Sequence, residues 1–481
     1  MLRTITTHVL GASLVVLISA CSVPVISDPA DTAATGPKGT VLPLDAFLPA
    51  DSRTPVKLIF VHGVGDHCAG YALGKEGWLS EKVLDHIGLV PDKEDTPSSL
   101  QKIYSSVFIP LSKVDEKSYV SVWKKHYRYR LPSSKSEFRS IEAIEITWSS
   151  LTQWIKTNQL GYDSGEIKID GDTACVDAQI NNSLAPPPRE ALNAFIKEQV
   201  LDRSLADSMI YAGSYGEVIR KGFAEALCHS ITDQPNDQAC QWPDARDARS
   251  KYIFVTHSLG SRIVFDTLLG LVGYQNNGAP TVYHDAGNAA PFVRQMMVNT
   301  PVVYMMANQL TLLGLANAKP EVSSFQGPQP YRMPIPHISA LPFPRDKIIS
   351  LDAQPTASRA VLSCRNPLTA AAQVIEESRT APGQELQEGA AQQKKLTLNV
   401  VAFSDTNDLL SWAIPSQYVT ALPGDACTPS LKVANVFVRN SYLLPFLVEN
   451  PGAAHTGYFK NSQVWDIIRC GAKDGVITQC K

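Results

Sequence analysis

Short apolar runs recur along the chain, and polar stretches of very different lengths separate them. The clearest runs are Val56–Val61 and residues 252–255, 396–403 and 432–438, all rich in β-branched or aromatic side chains. Residues 141–148 instead alternate apolar and polar side chains. Runs of this length and composition predict β-strands at all five places.

Other segments follow a helical spacing or carry little pattern. Apolar side chains recur at helical spacing from Ser261 onward, and again in residues 190–201 and 206–227. Residues 149–247 contain no convincing strand, so we expect a mainly helical insertion, either a cap over a site or a structural layer on the sheet. Residues 71–139 are polar and mixed in charge and are interpreted as a second insertion.

Two more apolar stretches lie in the middle of the chain. Residues 293–304 contain Pro301, and this pattern predicts a core strand that breaks into a loop. Residues 305–315 are rich in Met, Ala and Leu, which suit either the lining of an acyl pocket or ordinary core packing.

A predicted strand gives way to a predicted helix around Ser258, in the sequence Thr-His-Ser-Leu-Gly at 256–260. A serine at such a turn is held in a tight backbone conformation, and the positive end of the following helix points at its hydroxyl. Ser258 is therefore a candidate nucleophile. Thr256 stands where glycine is usual, and its branched side chain is expected to crowd the turn. A plain strand-to-helix connection is the alternative.

The strand Val56–Val61 ends in His62-Gly63-Val64-Gly65-Asp66-His67. A glycine-rich loop in this position offers backbone amides to an oxyanion, and the Val64 amide is the first candidate donor. Metal ligation by His62, Asp66 and His67 is the alternative, although the sequence shows no further acidic or histidine cluster nearby. His62 is otherwise expected to brace the loop.

Candidates for an acid and a base follow the last two predicted strands. Residues 404–411 come directly after a strand and contain Asp405 and Asp408. A carboxylate in this position can orient a histidine from a rigid scaffold. His455 lies in a segment that follows the last strand and is flanked by Gly452 and Gly457. We expect this segment to be a loop.

The order of these residues resembles the α/β-hydrolase superfamily, in which nucleophile, acid and histidine follow one another along the chain. The resemblance implies an α/β fold with a mostly parallel central sheet flanked by helices. It also implies that the amide of Leu259, just after the nucleophile, is the second oxyanion donor. Asp408 is the preferred acid because Leu409, Leu410 and soon Pro415 follow it, as in many members; Asp405 is the alternative acid.

Together these residues predict a serine hydrolase with a Ser258, His455 and Asp408 triad that forms an acyl-enzyme and needs no cofactor or metal. A carboxylic ester, and in particular a lipid-like one, is the expected substrate. An acyltransferase or peptidase would use the same side chains. An alternative of another kind is a non-catalytic envelope lipoprotein that keeps the hydrolase scaffold as a binding surface.

The amino terminus predicts export. Arg3 precedes an apolar segment too short to span a membrane, and residues 17–21, Leu-Ile-Ser-Ala-Cys, resemble the cleavage box of bacterial lipoproteins. This resemblance implies a signal peptide in residues 1–20, a lipid on Cys21 and, because Ser22 follows, the outer membrane. Residues 21–50 are interpreted as a flexible tether, and residues 51–481 as the catalytic domain.

Charge and cysteine content agree with this interpretation. The formal net charge is −3 and there are no basic blocks, which argues against a nucleic-acid partner. Apart from Cys21, the chain has an even number of cysteines, as expected of an exported protein with disulfides. The neighbours in sequence, Cys228 with Cys240 and Cys470 with Cys480, are the pairs we expect. The oligomeric state is left open by the sequence.

Overall fold

A computed structural model of the chain describes residues 24–29, 39–49, 51, 54–92, 100–104, 119–132, 137–160, 190, 193, 196–232, 234–274, 289–315, 364, 366–380, 397–419, 427, 431–440 and 451–480. The expected signal peptide (1–20) and the lipidation site Cys21 lie outside these residues. No helix within them is long and apolar enough to cross a bilayer.

A mixed β-sheet forms the centre of the molecule. Its strands are β1 (Val25–Ser27), β3 (Val56–Val61), β4 (Leu89–Pro91), β5 (Gln101–Tyr104), β6 (Tyr119–Arg130), β7 (Phe138–Thr147), β8 (Lys251–His257), β9 (Val302–Met306), β10 (Leu398–Asp405) and β11 (Leu431–Val438). The order across the sheet is β1-β11-β10-β9-β8-β3-β7-β6-β4, with β5 also paired to β6. Strands β11 to β7 in this order are parallel, and the strands at both ends are antiparallel.

Helices cover both faces of the sheet. They are α1 (Glu81–Ile87), α2 (Ser150–Leu160), α3 (Ala206–Ala212), α4 (Gly216–Thr232), α5 (Leu259–Leu271), α6 (Ala289–Val298), α7 (Leu310–Gly314), α8 (Pro367–Thr380), α9 (Pro451–Thr456) and α10 (Ser462–Cys470). A π-helical segment, Ile196–Leu205, leads directly into α3. A small separate sheet pairs β2 (Thr40–Val41) with β12 (Ala472–Lys473), which also pairs with β13 (Val476–Ile477).

Two apolar layers explain why the central strands are almost continuously apolar. In β3, Ile59 and Val61 pack into the layer beneath α2 to α8, whereas Leu58 and Phe60 pack into the opposite layer with α1 and α10. Successive side chains of a strand point to opposite faces, so a strand covered on both sides has no polar face. The chain is therefore an α/β protein with a mostly parallel central sheet flanked by helices.

The five strands predicted from the sequence are confirmed, with ends that differ by a few residues. The prediction of one strand in residues 293–304 is wrong, because helix α6 ends at Val298 and strand β9 begins at Val302. Pro301 lies at the boundary between them. The mainly helical insertion before β8 is observed in its described part as α2, the π-helical segment, α3 and α4.

Residues 71–139 are expected to form a polar insertion, but part of this stretch belongs to the central sheet. They contain β4, β5 and the long strand β6, which extend the central sheet by antiparallel pairing beyond β7. Tyr127 and Tyr129 of β6 are buried, while the intervening Arg128 is partly exposed. The charged side chains of β6 hide this alternation in the sequence.

The expected flexible tether also includes ordered structure. Val25–Ser27 forms the edge strand β1, residues 40–41 form β2, and Leu44–Phe47 forms a 3₁₀ helix whose Leu44 and Phe47 are buried. The interpretation of residues 21–50 as a flexible tether is therefore wrong for these parts, because their apolar side chains are buried in the layer that contains α1 and α10.

Three disulfides join pairs of described cysteines. They are Cys228–Cys240 and Cys470–Cys480, both expected from their spacing, and Cys364–Cys427. Cys68 is also disulfide-bonded. The bond between Cys364 and Cys427 crosses a separation of 63 residues, and short-range spacing gives no hint of such a pair.

Removing the hydroxyl of either of two buried tyrosines should change the stability of the fold, in opposite directions. The Tyr304 hydroxyl is buried with no hydrogen-bond partner in the described structure, whereas Tyr458 donates to Asp408 Oδ2 (2.9 Å) and accepts from the Asp405 amide (2.7 Å). An unpaired buried hydroxyl destabilises the folded state. We therefore expect Tyr304→Phe to raise the free energy of unfolding by about 1 kcal/mol, and Tyr458→Phe to lower it by about 1–3 kcal/mol.

Chemical denaturation of the two variants and the wild-type chain measures both changes. Each substitution removes one oxygen from a fully buried ring, so Tyr458→Phe is the matched control. A loss of stability in Tyr304→Phe as large as that in Tyr458→Phe would contradict the assignment of an unpaired hydroxyl.

Candidate active site

Ser258 occupies a strained turn between β8 and α5. Its backbone has φ 52° and ψ −123°, a combination that residues other than glycine rarely adopt. The Ser258 amide donates to the carbonyl of Met306 (2.8 Å), at the end of the neighbouring strand β9. The serine hydroxyl is buried and has no hydrogen-bond partner in the described structure. Such a turn presents the hydroxyl at the carboxyl edge of the sheet.

Two glycines permit the loop after β3 to approach this turn. A Cβ atom at Gly63 would lie 2.4 Å from Ser258 Cβ, and one at Gly260 would lie 2.5 Å from the His62 carbonyl oxygen. Both distances are far below van der Waals contact, so any side chain at either position would push the loop and the turn apart. The sequence therefore requires glycine at both positions if Ser258 is to contact the 62–65 loop.

Thr256 does not crowd the turn as expected. Its hydroxyl donates to the Tyr304 carbonyl (3.2 Å) and lies 2.8 Å from the hydroxyl of Ser261 on the first turn of α5. The extra bulk is thus accommodated by polar contacts that connect β8, β9 and α5. Thr256 ties the beginning of α5 to the sheet, a contact that glycine would not make.

His455 and Asp408 form a close pair. The Nδ1 atom of His455 lies 2.9 Å from Oδ1 and 3.0 Å from Oδ2 of Asp408, and both side chains are largely buried. The Leu410 amide and the Tyr458 hydroxyl also donate to this carboxylate, at 2.9 Å each. With Nδ1–H donated to Asp408, Nε2 of the neutral ring carries the lone pair.

Asp405 contacts other groups. Its Oδ1 accepts from the Asn407 amide (2.9 Å) and its Oδ2 accepts from the Asn440 amide (2.6 Å). The geometry thus assigns the histidine contact to Asp408 and the loop contacts to Asp405. His455 itself lies in helix α9, not in the loop that we expected. Tyr458 was not identified from the sequence. Its position three residues after His455 is the sequence feature that could have indicated a role beside the histidine.

The structure brings His455 next to the turn but does not hydrogen-bond it to Ser258. His455 Nε2 and Ser258 Oγ are both buried, and neither has a hydrogen-bond partner among the described residues. The link runs through His257, whose Nε2–H donates to the His455 carbonyl (2.9 Å) and whose ring centroid lies 4.9 Å from that of His455. Burial, helped by His455 and His67, lowers the pKa of His257 well below its usual value.

His62 braces the loop after β3. Its Nδ1–H donates to the Gly63 carbonyl (2.8 Å), and its Nε2 accepts from the Trp148 amide (3.0 Å) at the end of β7. The Trp148 indole N–H donates back to the His62 carbonyl (3.1 Å). Burial lowers the pKa of His62, which keeps the ring neutral and suits these two roles.

The expected oxyanion donors, Val64 and Leu259, belong to the two segments that meet at Ser258. Val64 follows Gly63, which meets Ser258 directly, and Leu259 is the first residue of α5. Amides in the first turn of a helix have no partner within that helix, so they are available to an anion. Both side chains are buried, which places the two backbone segments away from bulk water.

A buried ionic cluster connects the loop to the helical insertion. Lys156 Nζ of α2 lies 2.9 Å from Asp66 Oδ1 and 3.0 Å from Asp207 Oδ1 of α3. Asp207 Oδ2 also accepts from the Gly65 amide (2.7 Å), and its Oδ1 accepts from the Thr152 hydroxyl (2.8 Å). Burial raises the pKa of Asp207, and Lys156 opposes that rise. Gly65 is thereby held by a carboxylate of the insertion.

His67 closes the loop. Its ring Nε2–H donates to the Val64 carbonyl (3.2 Å), and its amide donates to the Ser149 hydroxyl (3.1 Å). His62, Asp66 and His67 each have protein partners, and the described residues contain no group of three or more His, Cys, Asp or Glu side chains arranged to hold a metal ion. Burial lowers the pKa of His67 from 6.5 to about 4.

The low pKa of His67 predicts a loss of stability in mild acid. Between pH 6.5 and about 4, the unfolded chain binds a proton at His67 that the folded chain does not bind. The free energy of unfolding therefore falls as the pH drops through this window, and His62 and His257 act in the same direction. Replacing His67 removes one such group and should reduce the slope by at most about 1.4 kcal/mol per pH unit.

Urea denaturation at several pH values, with His67→Gln beside the wild-type chain, measures this slope. Glutamine keeps a donor for the Val64 carbonyl and does not titrate. Above pH 7 the two stability curves should run parallel, which serves as the internal control. Identical slopes between pH 6.5 and 4 would show that His67 binds its proton equally in the folded and the unfolded chain.

Comparison of the chain with models of known protein families, with curated protein sequences and with solved structures found no match.

Proposed function

We propose that the chain is a serine hydrolase of the α/β-hydrolase type that cleaves carboxylic esters. The observation that carries the proposal is the strained Ser258 turn, whose buried hydroxyl has no partner among the described residues, beside a histidine that Asp408 orients. A residue in so unfavourable a conformation persists only where the surrounding structure enforces it, and such strain clusters at active sites. The chain order Ser258, Asp408, His455 supports the same scaffold.

The proposed reaction uses these groups in sequence. His455 Nε2 takes the proton of the Ser258 hydroxyl, and Ser258 Oγ attacks the ester carbonyl. The amides of Val64 and Leu259 stabilise the oxyanion, and His455 then gives its proton to the leaving alcohol. Water attacks the acyl-enzyme in the same way, which releases the acid. Asp408 keeps the histidine in the required tautomer throughout.

The proposed chemistry needs one adjustment of the site. Ser258 Oγ and His455 Nε2 must approach to about 2.6–3.2 Å for proton transfer. Contacts of this kind are commonly long before substrate binds and shorten in the complex. Because His257 already donates to the His455 carbonyl, the adjustment involves side chains next to each other and no rearrangement of the sheet.

The proposed setting is the bacterial cell envelope, with a lipid on Cys21 holding the protein at the outer membrane. An ester of a lipid is the substrate that this setting favours. Met305 and Leu313, from the stretch considered as an acyl pocket, are buried in the core beside α5. These two side chains therefore support the sheet, and they carry no argument for acyl-chain specificity.

Covalent labelling tests the nucleophile. A fluorophosphonate should label the wild-type chain on Ser258, and Ser258→Ala should abolish both labelling and hydrolysis of p-nitrophenyl esters. Ser261→Ala is the matched control, because this hydroxyl contacts Thr256 and should leave the label on Ser258. A folded wild-type chain that takes no label and cleaves no ester would instead support a binding protein built on the same scaffold.

A second prediction concerns Asp207. Asp207→Asn weakens the contact with Lys156 and with the Gly65 amide, so the oxyanion loop should lose its fixed position. We expect kcat/KM for a p-nitrophenyl ester to fall about 100-fold, since displacing a catalytic group by about 1 Å has an effect of this size. Steady-state kinetics measures the change.

Asp202→Asn is the control for this prediction. Asp202 lies in the helical segment that leads into α3 and pairs with Lys197, and this contact does not involve the 62–67 loop. The Asp202 variant should retain kcat/KM within about two-fold. Equal losses in the two variants would mean that the insertion acts through general stability and not through Gly65.

A further inference from the structure

The edge strand β1 determines where the amino terminus leaves the sheet. It pairs antiparallel to β11, with Val25 opposite Phe437 and Ser27 opposite Asn435. Phe437 is the next to last residue of β11, which runs parallel to β10. The carboxyl ends of parallel strands meet at one edge of the sheet. The beginning of β1 therefore lies at the edge that carries Ser258 and Asp408.

The proposed lipid site is only a short chain length away. Cys21 precedes Val25 by four residues, and four extended residues span at most about 14 Å. A lipid on Cys21 would therefore hold the catalytic edge, and not the opposite edge, beside the membrane. The long flexible tether that the sequence predicted would have allowed any orientation.

At the same edge, the π-helical segment and α3 bury acidic side chains and expose apolar ones. In the π-helical segment and α3, Asp202 and Asp207 are buried, at 7% and 0% exposure. Five apolar side chains of the same stretch are exposed, and their exposed fractions are Ile196 42%, Val200 36%, Leu201 45%, Leu205 41% and Met209 68%. A water-facing helix normally shows the opposite arrangement, and contiguous apolar patches mark interaction sites.

This outer surface is directly connected to the site. The inner side of the same helix holds the oxyanion loop through Asp207 and Gly65. Leu409, which follows Asp408, is 71% exposed, and Leu315, just after α7, is 70% exposed. Both follow the carboxyl ends of parallel strands, β10 and β9. We define the apolar surface as the exposed apolar side chains of these segments of the carboxyl edge, Ile196, Val200, Leu201, Leu205, Met209, Leu315 and Leu409.

We propose that this apolar surface docks on the bilayer that carries the anchor, so that the catalytic edge faces the membrane and takes an ester-bearing amphiphile from it. The proposal rests on the proposed function for the anchor and for the ester substrate. An apolar helix face that enters the boundary between headgroups and acyl chains gains free energy in proportion to its buried area. A second copy of the chain could also cover such a face, but only the membrane explains why β1 directs Cys21 to the same edge.

Hydrogen exchange tests the docking without any need for activity. The full lipidated chain, in vesicles of phosphatidylethanolamine and phosphatidylglycerol, is compared with the Cys21→Ser chain in buffer. Exchange of amides in residues 196–212 and 406–411 should slow at least five-fold in vesicles, whereas residues 472–477 of the small sheet should not change. Equal exchange in both states, or protection of the small sheet instead, overturns the proposal. Protection of 196–212 in buffer that grows with protein concentration also overturns it, in favour of a second copy.

Kinetics then tests the source of the substrate. The double variant Leu205→Ser, Met209→Ser is compared with Val476→Ser, because Val476 of β13 and Met209 are equally exposed, at 68%. The ratio of rates, diacylglycerol in vesicles over p-nitrophenyl butyrate in solution, should fall at least ten-fold in the double variant and stay within two-fold in Val476→Ser. An unchanged ratio in the double variant overturns the membrane source.

The two experiments separate the possible failures. A chain that cleaves neither ester, yet shows the expected exchange pattern, contradicts the proposed hydrolase and leaves the docking intact. A chain that cleaves the soluble ester but shows no protection of 196–212 contradicts the docking and leaves the hydrolase intact.

Discussion

The close approach of the 62–65 loop to Ser258 is the contact on which the rest of the site depends. Ser258 keeps an unfavourable backbone conformation because β8 and α5 meet there, with its amide held by Met306. Gly63 and Gly260 leave no space between this turn and the loop. A methyl group at either position would separate the candidate nucleophile from the candidate oxyanion donors. The geometry of the site therefore depends first on close packing of the two backbone segments.

Buried charged side chains also hold the 62–67 loop against the helical insertion. Lys156 lies between Asp66 and Asp207, and Asp207 also binds the Gly65 amide. Removing one partner of a buried ionic cluster leaves an uncompensated charge, which strongly destabilises the folded state. The insertion is therefore fastened to the loop at this point, and Asp207 faces inward. Its outer side carries exposed apolar side chains, among them Leu205 and Met209, and this is the surface that we propose docks on a membrane.

Sequence patterns predicted the central strands well and the edges of the sheet poorly. A strand buried on both faces is apolar throughout, as in β3 and β8, and such runs are recognisable. Strand β6 is half exposed and rich in Lys and Arg, so its buried Tyr127 and Tyr129 do not form a run. The prediction for residues 293–304 was wrong for another reason. A buried helix and a buried strand have similar composition, and periodicity in a short apolar stretch does not distinguish them.

The sequence by itself determined the candidate residues, Ser258, Asp408, His455 and the glycines of the loop, because strand ends and glycines are local features. Only the tertiary structure decided which carboxylate meets His455, that Tyr458 and His257 support the pair, and that Asp207 holds Gly65 across 142 residues. It also decided that β1 begins at the carboxyl edge of the sheet, where Ser258 and Asp408 lie. These contacts join segments far apart in the chain, and no local pattern records which distant partner a side chain will meet.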